Sequence, residues 1–300
     1  MASVRPVYPL TAMHDPDCNT TVIANEPLLG QRGSWRTMFV AALVAAVGFV
    51  AWAVIQQPAG TGDMSQTTDA AGTPAAEEKR PEEQDRFLSQ RRRMVRRQLQ
   101  GRDITDRRVL EVMERVRRHR FVPESWQDSA YEDHPLPIGH GQTISQPYIV
   151  ALMTQLAQPQ PKSRALDVGT GSGYQAAVLA ELCQEVYSIE IVEPLAKEAR
   201  QRLAELGYKN VQVRGGDGYR GWVEQAPFDI ILVAAAPDHV PQRLVEQLAP
   251  GGRLVIPVGR PYQDLLVVEK QADGETRRWK VTDVAFVPMT GEALKKRTKE

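Results

Sequence analysis

The sequence predicts a doubly wound α/β domain, in which helices cover both faces of a parallel sheet, preceded by a single N-terminal membrane segment. Three observations lead to this fold class. The 300 residues are 42% apolar and 25% charged, which is ample for a hydrophobic core. After Gln160, short apolar runs alternate with longer amphipathic patterns. Near the N-terminus, one uncharged apolar run stands apart from the rest.

The uncharged run covers residues 38–55, MFVAALVAAVGFVAWAVI. At about 1.5 Å per residue it spans roughly 27 Å, close to the hydrocarbon thickness of a bilayer. A buried core helix is the alternative, but the polar flanks contain no apolar surface to cover it. Arg32 and Arg36 precede the run and residues 56–76 contain no basic residue, a bias that predicts an exported C-terminal part. The small residues Ala51 and Ala53 leave a cleaved signal peptide open beside an uncleaved anchor.

The composition divides the remainder of the chain. Residues 1–37 form an N-terminal tail, and residues 56–84 a flexible linker rich in alanine, glycine, threonine, proline and glutamate. A folded domain over 85–291 and a basic C-terminal tail over 292–300 follow. The arginine-rich start of this domain predicts two helices broken near Gly101. Its charge fits a solvated helix face, or binding to anionic lipid or nucleic acid.

The alternation after Gln160 gives the order of the elements. Strands are predicted at 164–169, 185–191, 210–218, 228–236, 251–259 and 264–270, and helices at 174–182, 194–206 and 241–248. Nearly continuous apolar strands are typical of a sheet that is covered on both faces. A ligand of such a sheet binds at the carboxyl ends of the strands, near the point where the strand order reverses.

A glycine-rich turn follows the first of these strands. It reads DVGTGSGY from Asp167, and its glycines allow positive φ and close approach of the backbone to a ligand at a helix N-terminus. The dinucleotide fingerprint GxGxxG requires glycine where this chain has Tyr174, so nicotinamide binding is disfavoured. Cys18 and Cys183 are the only cysteines, and His134, His140 and His239 have no metal-ligand companions in sequence, so no metal site is predicted.

Acidic residues end three successive strands. Asp167 precedes the glycines, Glu190 ends the second strand, and Asp217 with Gly218 ends the third. Each alone could be a turn or capping residue. Together with the glycine turn they resemble the class I S-adenosylmethionine-dependent methyltransferases, which implies a Rossmann-like methyltransferase sheet. This resemblance implies that Glu190 accepts hydrogen bonds from the ribose hydroxyls and that Asp217 accepts a hydrogen bond from the adenine amino group. The implied cofactor-binding residues are Gln142, Thr143, Ile144, Asp167, Gly169, Thr170, Gly171, Gly173, Glu190, Asp217 and Gly218.

Motifs ahead of and behind the glycine turn narrow the family. They are FVP from Phe121, AYED, LPIG and GQTISQP within residues 130–147, then GDG, APFD and FVPMT, the last ending at Thr290. In order and spacing they resemble protein-L-isoaspartate O-methyltransferase over roughly residues 86–291. This implies methyl transfer from S-adenosylmethionine to the free carboxylate of L-isoaspartyl residues in damaged proteins. The ester then closes to a succinimide, which reopens as aspartate.

The same resemblance implies roles for single residues. Ser145 is the active-site hydroxyl, which orients the substrate carboxylate, and Gln146 and Thr290 line the substrate pocket. Ala234 departs from the family pattern, because bacterial relatives usually carry threonine there. The implied partners are isoaspartyl proteins and peptides, with a monomeric catalytic domain, a membrane contact through residues 38–55 and no nucleic acid.

Two other functions stay open at this point. One is a class I methyltransferase that acts on another carboxylate or protein substrate; the other is a catalytically idle S-adenosylmethionine-binding membrane scaffold. Retention of the ISQP, AYED and VPMT motifs disfavours the first, and retention of the acids and Ser145 disfavours the second. Two predictions of the location of the domain disagree. The charge bias predicts a membrane-anchored, exported domain, whereas S-adenosylmethionine is made inside the cell and the family is usually cytoplasmic.

Overall fold

The computed structural model describes residues 81–295. The predicted tail (1–37), the predicted membrane segment (38–55) and the linker up to residue 80 lie outside the described residues. Among the helices of residues 81–295, none combines the length and the apolar character needed to cross a bilayer. The first helix begins at Pro81, so the last residues of the predicted linker form its first turn.

Two helices form the N-terminal part, as the sequence predicts. Helix α1 spans Pro81–Met94 and continues as a π-helical turn over Val95–Gln100, and α2 spans Arg107–Arg115. The first helix ends at Gly101, which has little intrinsic preference for a helix. Asp106 caps α2 by accepting a hydrogen bond from the amide of Arg108. The apolar stripes of both helices are buried, with Phe87, Met94, Leu99, Val109 and Met113 at their centre.

A short antiparallel hairpin and a helix precede the main sheet. Strand β1 spans Leu136–Gly139, β2 spans Gln142–Ile144, and α3 spans Pro147–Ala157. The later elements alternate as predicted: β3 Arg164–Val168, α4 Tyr174–Ala180, β4 Glu185–Glu190, α5 Glu193–Glu205, β5 Val211–Gly215, β6 Phe228–Val233, α6 Gln242–Glu246, β7 Leu248–Val258, β8 Gln263–Lys270, β9 Thr276–Val284 and α7 Glu292–Lys295.

The strand order in the main sheet is β5-β4-β3-β6-β7-β8-β9. The chain moves outward from β3 to β5 and then crosses back to place β6 on the other side of β3. Val168 at the end of β3 is in register with Ile189 of β4 and with Val233 of β6. The carboxyl ends of the three strands therefore meet where the order reverses, which is where a ligand binds in this class of fold.

The last part of the sheet differs from the prediction of a parallel sheet. Strand β8 runs antiparallel to β7, and β9, which the sequence did not predict, runs antiparallel to β8. The loop between β7 and β8 is too short for the crossover of a dozen or more residues that a parallel pair needs. The turn before β9 contains Asp273 and Gly274, a hairpin signal that the apolar pattern alone does not reveal.

The sheet separates two apolar cores. Along β6, Ile230 and Leu232 pack in the core that includes α1–α5, whereas Ile231 and Val233 pack in the core that includes α6. This alternation, with every one of these side chains buried, confirms the prediction of helices on both faces.

The predicted end of the domain at residue 291 is too early. Helix α7 takes in the first residues of the predicted basic tail, and Ala293 is buried in the second core. The chain continues to pack on the domain because the backbone amide of Glu292 donates a 2.7 Å hydrogen bond to the Asp217 carboxylate.

Candidate active site

A cleft that is partly open to solvent lies at the carboxyl ends of β3, β4 and β6. One wall comes from the hairpin β1–β2 and the start of α3, a second from the glycine turn, and a third from the segment before α7. The lining includes Gln142, Thr143, Ile144, Ser145, Gly169, Thr170, Gly171, Tyr174, Gln175, Glu190, Ile191, Val192, Asp217, Gly218, Ala234, Ala235, Met289 and Thr290.

The glycine turn presents bare backbone to this cleft. Gly169 has φ +94°, a conformation that L side chains rarely adopt. A Cβ atom at Gly169 would lie 3.4 Å from the Cβ of Ala234, and one at Gly171 would lie 3.3 Å from Cδ1 of Ile138. The amides of Gly169 and Thr170 donate to the carbonyl of Ile189, which ties the turn to the end of β4. Glycine is therefore required for the shape of this wall.

Glu190 connects the glycine turn to the next helix. Its Oε2 accepts a 2.7 Å hydrogen bond from the amide of Gly171, and its Oε1 accepts a 2.9 Å bond from the amide of Val192. The side chain is buried except for the part that lines the cleft. Each carboxylate oxygen retains a further lone pair, so the group can accept two more hydrogen bonds from a ligand.

Asp217 has a similar bridging arrangement. Its Oδ1 accepts from the amide of Tyr219, which caps the short 3₁₀ turn Gly218–Arg220, and its Oδ2 accepts from the amide of Glu292. A Cβ atom at Gly291 would collide with this carboxylate. Asp217 therefore connects the floor of the cleft to the C-terminal segment.

Asp167 lies beneath the glycine turn and outside the cleft lining. Its Oδ2 accepts a 2.8 Å hydrogen bond from the Ser188 hydroxyl, which is 2.6 Å from the Thr170 hydroxyl. Its Oδ1 has no hydrogen-bond partner among the described residues. Burial raises the pKa of this carboxyl to about 7, and the nearby Glu190 carboxylate adds to the increase.

The hairpin wall carries the predicted active-site hydroxyl. Strand β2 and the following Ser145 line the cleft, and Ser145 is half-buried there. Gln146 lies outside the lining, at the N-terminal cap position of α3. Pro147 at the first position of that helix fixes where the hairpin wall ends.

The segment before α7 forms another wall of the cleft. Pro288 forms a parallel bridge with Ala236, and the amide of Met289 donates to the Ala236 carbonyl. This places Thr290, an exposed residue, in the lining. Ala234, two residues before Ala236 in the loop after β6, lies against Gly169.

The structure brings together most of the predicted site residues. Gln142, Thr143, Ile144, Ser145, Gly169, Thr170, Gly171, Glu190, Asp217, Gly218 and Thr290 all line the cleft. Gln146, Asp167 and Gly173 do not. At Gly173, φ is +91° and a Cβ atom would lie 3.2 Å from Leu203, so this glycine allows α4 to pack closely on α5.

Sequence reasoning missed several lining residues. Ile191 and Val192 directly follow the strand-end acid, and Ile191 is one of the few large apolar residues that is exposed, at 43%. An apolar residue just beyond a buried strand is a signal for a ligand wall, but it is common elsewhere. Gln175, Ala235 and Met289 gave no such signal.

Other residues considered from sequence have ordinary environments. Tyr174 lines the cleft yet is almost fully buried, with Arg118 5.0 Å from its ring centroid. Cys183 is buried, which raises the pKa of its thiol to about 12. His134 contacts Glu132, and His239 contacts Asp238. Within residues 81–295, no group of three potential metal ligands comes together.

Comparison with known proteins identifies the family. Residues 89–294 match the family model described as protein-L-isoaspartate(D-aspartate) O-methyltransferase, PCMT. The chain is 59% identical over 194 residues to protein-L-isoaspartate O-methyltransferase 2 of Polaromonas sp., covering 64% of this chain and 92% of the relative. It is 60% identical over 206 residues to protein-L-isoaspartate O-methyltransferase of Opitutus terrae, covering 68% and 88%.

Solved structures agree with this assignment. One protein-L-isoaspartate O-methyltransferase matches with a TM-score of 0.64 and 27% identity, over 70% of this chain and 69% of that one. A second, from Plasmodium falciparum and in complex with S-adenosyl-L-homocysteine, matches with a TM-score of 0.58 and 28% identity, over 68% and 98%. The sequence motifs, the strand order and the cleft at its reversal have the same explanation: this chain belongs to the protein-L-isoaspartate O-methyltransferase family.

Proposed function

We propose that this chain transfers the methyl group of S-adenosylmethionine to the free carboxylate of L-isoaspartyl residues in damaged proteins. The observation that supports the proposal most is that one cleft is lined both by a glycine turn with a strand-end acid and by side-chain hydroxyl groups. The glycine turn and Glu190 form a nucleotide-type wall, while Ser145 and Thr290 add hydroxyls from two other elements. Membership in the family supplies the substrate class.

The residues present fit S-adenosylmethionine. Positive-φ glycines remove side chains from one wall, Ile191 and Met289 provide apolar surface, and Glu190 is a fixed acceptor. When bound, this donor supplies a methyl carbon made electrophilic by its sulfonium. The relative from Plasmodium falciparum was solved with the demethylated product of the same donor.

The two bridging acids have separate roles in this proposal. Glu190 accepts hydrogen bonds from the ribose hydroxyls through its free lone pairs, while its bonds to Gly171 and Val192 prevent it from rotating. Asp217, beside Gly218, accepts from the adenine amino group. The hydrogen bonds of both acids to backbone amides preorganise the wall before a ligand enters.

The residues outside the lining support the wall from behind. Asp167 holds Thr170 through the Ser188 hydroxyl, so it positions the glycine turn without contacting a ligand. Gly173 sets the packing of α4 on α5. Gln146 lies next to Ser145 in the chain, at the cap of α3.

Ser145 orients the substrate in this mechanism. A carboxylate is already ionised at neutral pH, so no strong general base is needed. The Ser145 hydroxyl donates a hydrogen bond to one carboxylate oxygen and leaves the other free to attack the methyl carbon. Thr290 confines the substrate from another wall of the same cleft, and Ala234 adds apolar surface to the lining. Rate enhancement comes from alignment of the reacting atoms.

Methylation makes repair possible because it turns a poor leaving group into a good one. The backbone amide nitrogen after the isoaspartyl residue attacks the ester carbonyl, closes a succinimide and releases methanol. Water then reopens the ring, and part of the product is a normal aspartyl residue. These later steps need no group from this chain.

Transfer of labelled methyl to an isoaspartyl peptide and to its aspartyl twin tests the proposal. The full chain is expected to form a base-labile ester on the isoaspartyl peptide alone, and Ser145→Ala is expected to lower kcat about 10- to 100-fold while S-adenosylhomocysteine affinity is kept. Equal transfer to both peptides would favour a methyltransferase with another carboxylate substrate. Donor binding without transfer would favour an idle scaffold.

The location of the domain is a separate proposal. An uncharged run at residues 38–55 and the preceding Arg32 and Arg36 support a membrane anchor with an exported domain, and a cytoplasmic domain is the alternative. The catalytic part is proposed to act as a monomer, because one chain supplies all walls of the cleft. Reporter fusions after residue 300, active only on one side of the membrane, distinguish the two locations.

A further inference from the structure

Helix α1 and its π-helical extension carry a row of arginines on their outer side. Arg86, Arg92, Arg93, Arg96 and Arg97 are all exposed, and we refer to them as the arginine face. The opposite side of the same helix is buried in the core and carries Phe87, Met94, Val95 and Leu99. From Phe87 onward the helix is therefore held on the domain by its apolar side, while the arginine face points outward.

The arginine face has a surplus of charge. Residues 86–102 contain seven arginines and no acidic residue, although the whole chain has equal numbers of acidic and basic residues. Arg86 pairs with Asp128, and Arg92 lies 2.9 Å from Glu114. Arg93, Arg96 and Arg97 have no carboxylate partner among residues 86–294, whose side chains the structure describes.

An unpaired row of this kind fits an anionic surface. A guanidinium presents a planar fork of donors that matches a phosphate, and three on adjacent turns act together. No aromatic side chain is exposed between them, whereas proteins that bind single-stranded nucleic acid stack bases on such side chains. Phosphate groups on a flat lipid surface need no such stacking.

We propose that the arginine face binds the anionic headgroups of a lipid bilayer. Its place in the sequence supports this partner, since only residues 56–80 separate Pro81 from the predicted membrane segment. Even fully extended, these 25 residues reach at most about 90 Å, so an inserted segment would hold the face near a membrane. The arginine face would attract anionic lipid whether or not that segment inserts.

Vesicle binding by the full chain tests the proposal. The partition coefficient is measured on phosphatidylcholine vesicles and on vesicles in which about one-third of the lipid is phosphatidylglycerol. An anchor at residues 38–55 would raise partitioning into both kinds of vesicle, so its effect cancels in the ratio of the two coefficients. The ratio therefore measures the preference for anionic lipid that is expected from the arginine face. The triple change R93Q/R96Q/R97Q is expected to lower that ratio by on the order of 100-fold, and salt near 1 M is expected to abolish the preference.

A matched variant and a competitor complete the experiment. K162Q/K209Q/R278Q removes the same charge at exposed positions outside the helix and is expected to leave the ratio unchanged. Methyl transfer by both variants reports their folding, because none of these residues lines the cleft. An unchanged ratio in R93Q/R96Q/R97Q, or an equal loss in the control, would overturn the proposal. Binding of DNA that depends on these arginines, with no preference for anionic vesicles, would overturn it in favour of nucleic acid.

Discussion

Glu190 shows how one side chain can organise a binding wall before any ligand arrives. Its two oxygens take backbone amides from the glycine turn and from the start of α5, and charge-assisted bonds of this kind are among the stronger ones in proteins. The sequence predicts Glu190 from its place at a strand end. It does not predict the bond to Gly171, because that bond depends on the turn geometry.

Changing Glu190 to glutamine tests this double role. The side-chain amide of glutamine has one oxygen and one NH2 group. The oxygen can accept a hydrogen bond from the amide of Gly171 or of Val192, but the NH2 group then faces the other amide, so one hydrogen bond is lost and two donors oppose each other. Calorimetry is expected to show S-adenosylhomocysteine binding weakened about 10- to 100-fold. Glu198→Gln, an exposed change on the same α5, is the control and should bind normally. Equal affinity of both variants would exclude the role.

Asp167 makes the stability of the fold depend on pH in an unusual direction. Burial raises the pKa of its carboxyl to about 7, whereas an unfolded aspartate titrates near pH 3.9. Between these two pKa values the folded state therefore binds more protons than the unfolded state. The contribution of the protonated Asp167 carboxyl to stability is complete below about pH 4 and is lost as pH rises through about 7.

Asp167→Asn removes that titration. The free energy of unfolding of the unchanged chain, minus that of the variant, is expected to fall by roughly 2–4 kcal/mol between pH 4 and pH 8. Urea unfolding at several pH values measures this difference, and other titrating groups cancel in it. A difference that stays constant or rises with pH would show that the carboxyl is ionised in the folded protein.

At the scale of elements, the glycine turn is the part of the site whose backbone matters most. Gly169→Ala forces an L side chain into φ +94° and places its Cβ 3.4 Å from Ala234. Gly274, in the turn before β9, has φ +88° and open space around it. Both alanine variants are expected to lose about 1–2 kcal/mol of stability from the left-handed backbone.

Only the first of these variants is expected to lose ligand affinity. S-adenosylhomocysteine binding to Gly169→Ala should weaken at least about 10-fold, because the turn lines the cleft and shifts to relieve the strain of a side chain at positive φ, while Gly274→Ala should bind normally. Thermal unfolding and calorimetry separate the two effects. Similar binding by both variants would mean that the turn does not form the ligand wall.

The elements that the sequence predicted well are those with strong local patterns. The helices α4 and α5 and the strands β3 to β7 follow from apolar periodicity, and the end of the π-helical extension of α1 at Gly101 follows from a helix-breaking residue. Strand β9 has many exposed residues, so periodicity does not identify it. The direction of β8 depends on loop length rather than on the strand's own residues.

In the site, too, local motifs predict some residues well, whereas the positions of others depend on the rest of the fold. Residues fixed by a motif, such as Ser145 and Gly171, lie in the cleft, whereas Asp167 and Gln146 belong to the motifs but lie behind or beside it. The period of two along β3 explains Asp167, because its side chain shares the sheet face of Ala165, which packs under helices. Tertiary contacts of this kind are absent from local sequence.

For the whole molecule, the cleft is assembled from distant parts of one domain. Lining residues extend from Gln142 to Thr290, and Asp217 joins the centre of the chain to its C-terminal segment. No described part of the site comes from residues before 136. Residues 1–77, which precede helix α1, are therefore expected to be dispensable for catalysis.

A shortened chain of residues 78–300 tests this independence. It is expected to be soluble and to keep kcat and KM for an isoaspartyl peptide within about twofold of the full chain, since helix α1 and both cores are retained. Methyl transfer with purified protein measures this. Insolubility of the shortened chain under all conditions would count against the linker and against the boundary near Pro81.

The cleft at the reversal of the strand order is proposed to be the donor site. The most direct test is a crystal structure of the chain grown with S-adenosylhomocysteine. The ribose hydroxyls are expected within hydrogen-bond distance of the Glu190 carboxylate, with the adenine beside Asp217 and the sulfur facing Ser145. A ligand bound elsewhere, or bound here with its ribose away from Glu190, would contradict this proposal.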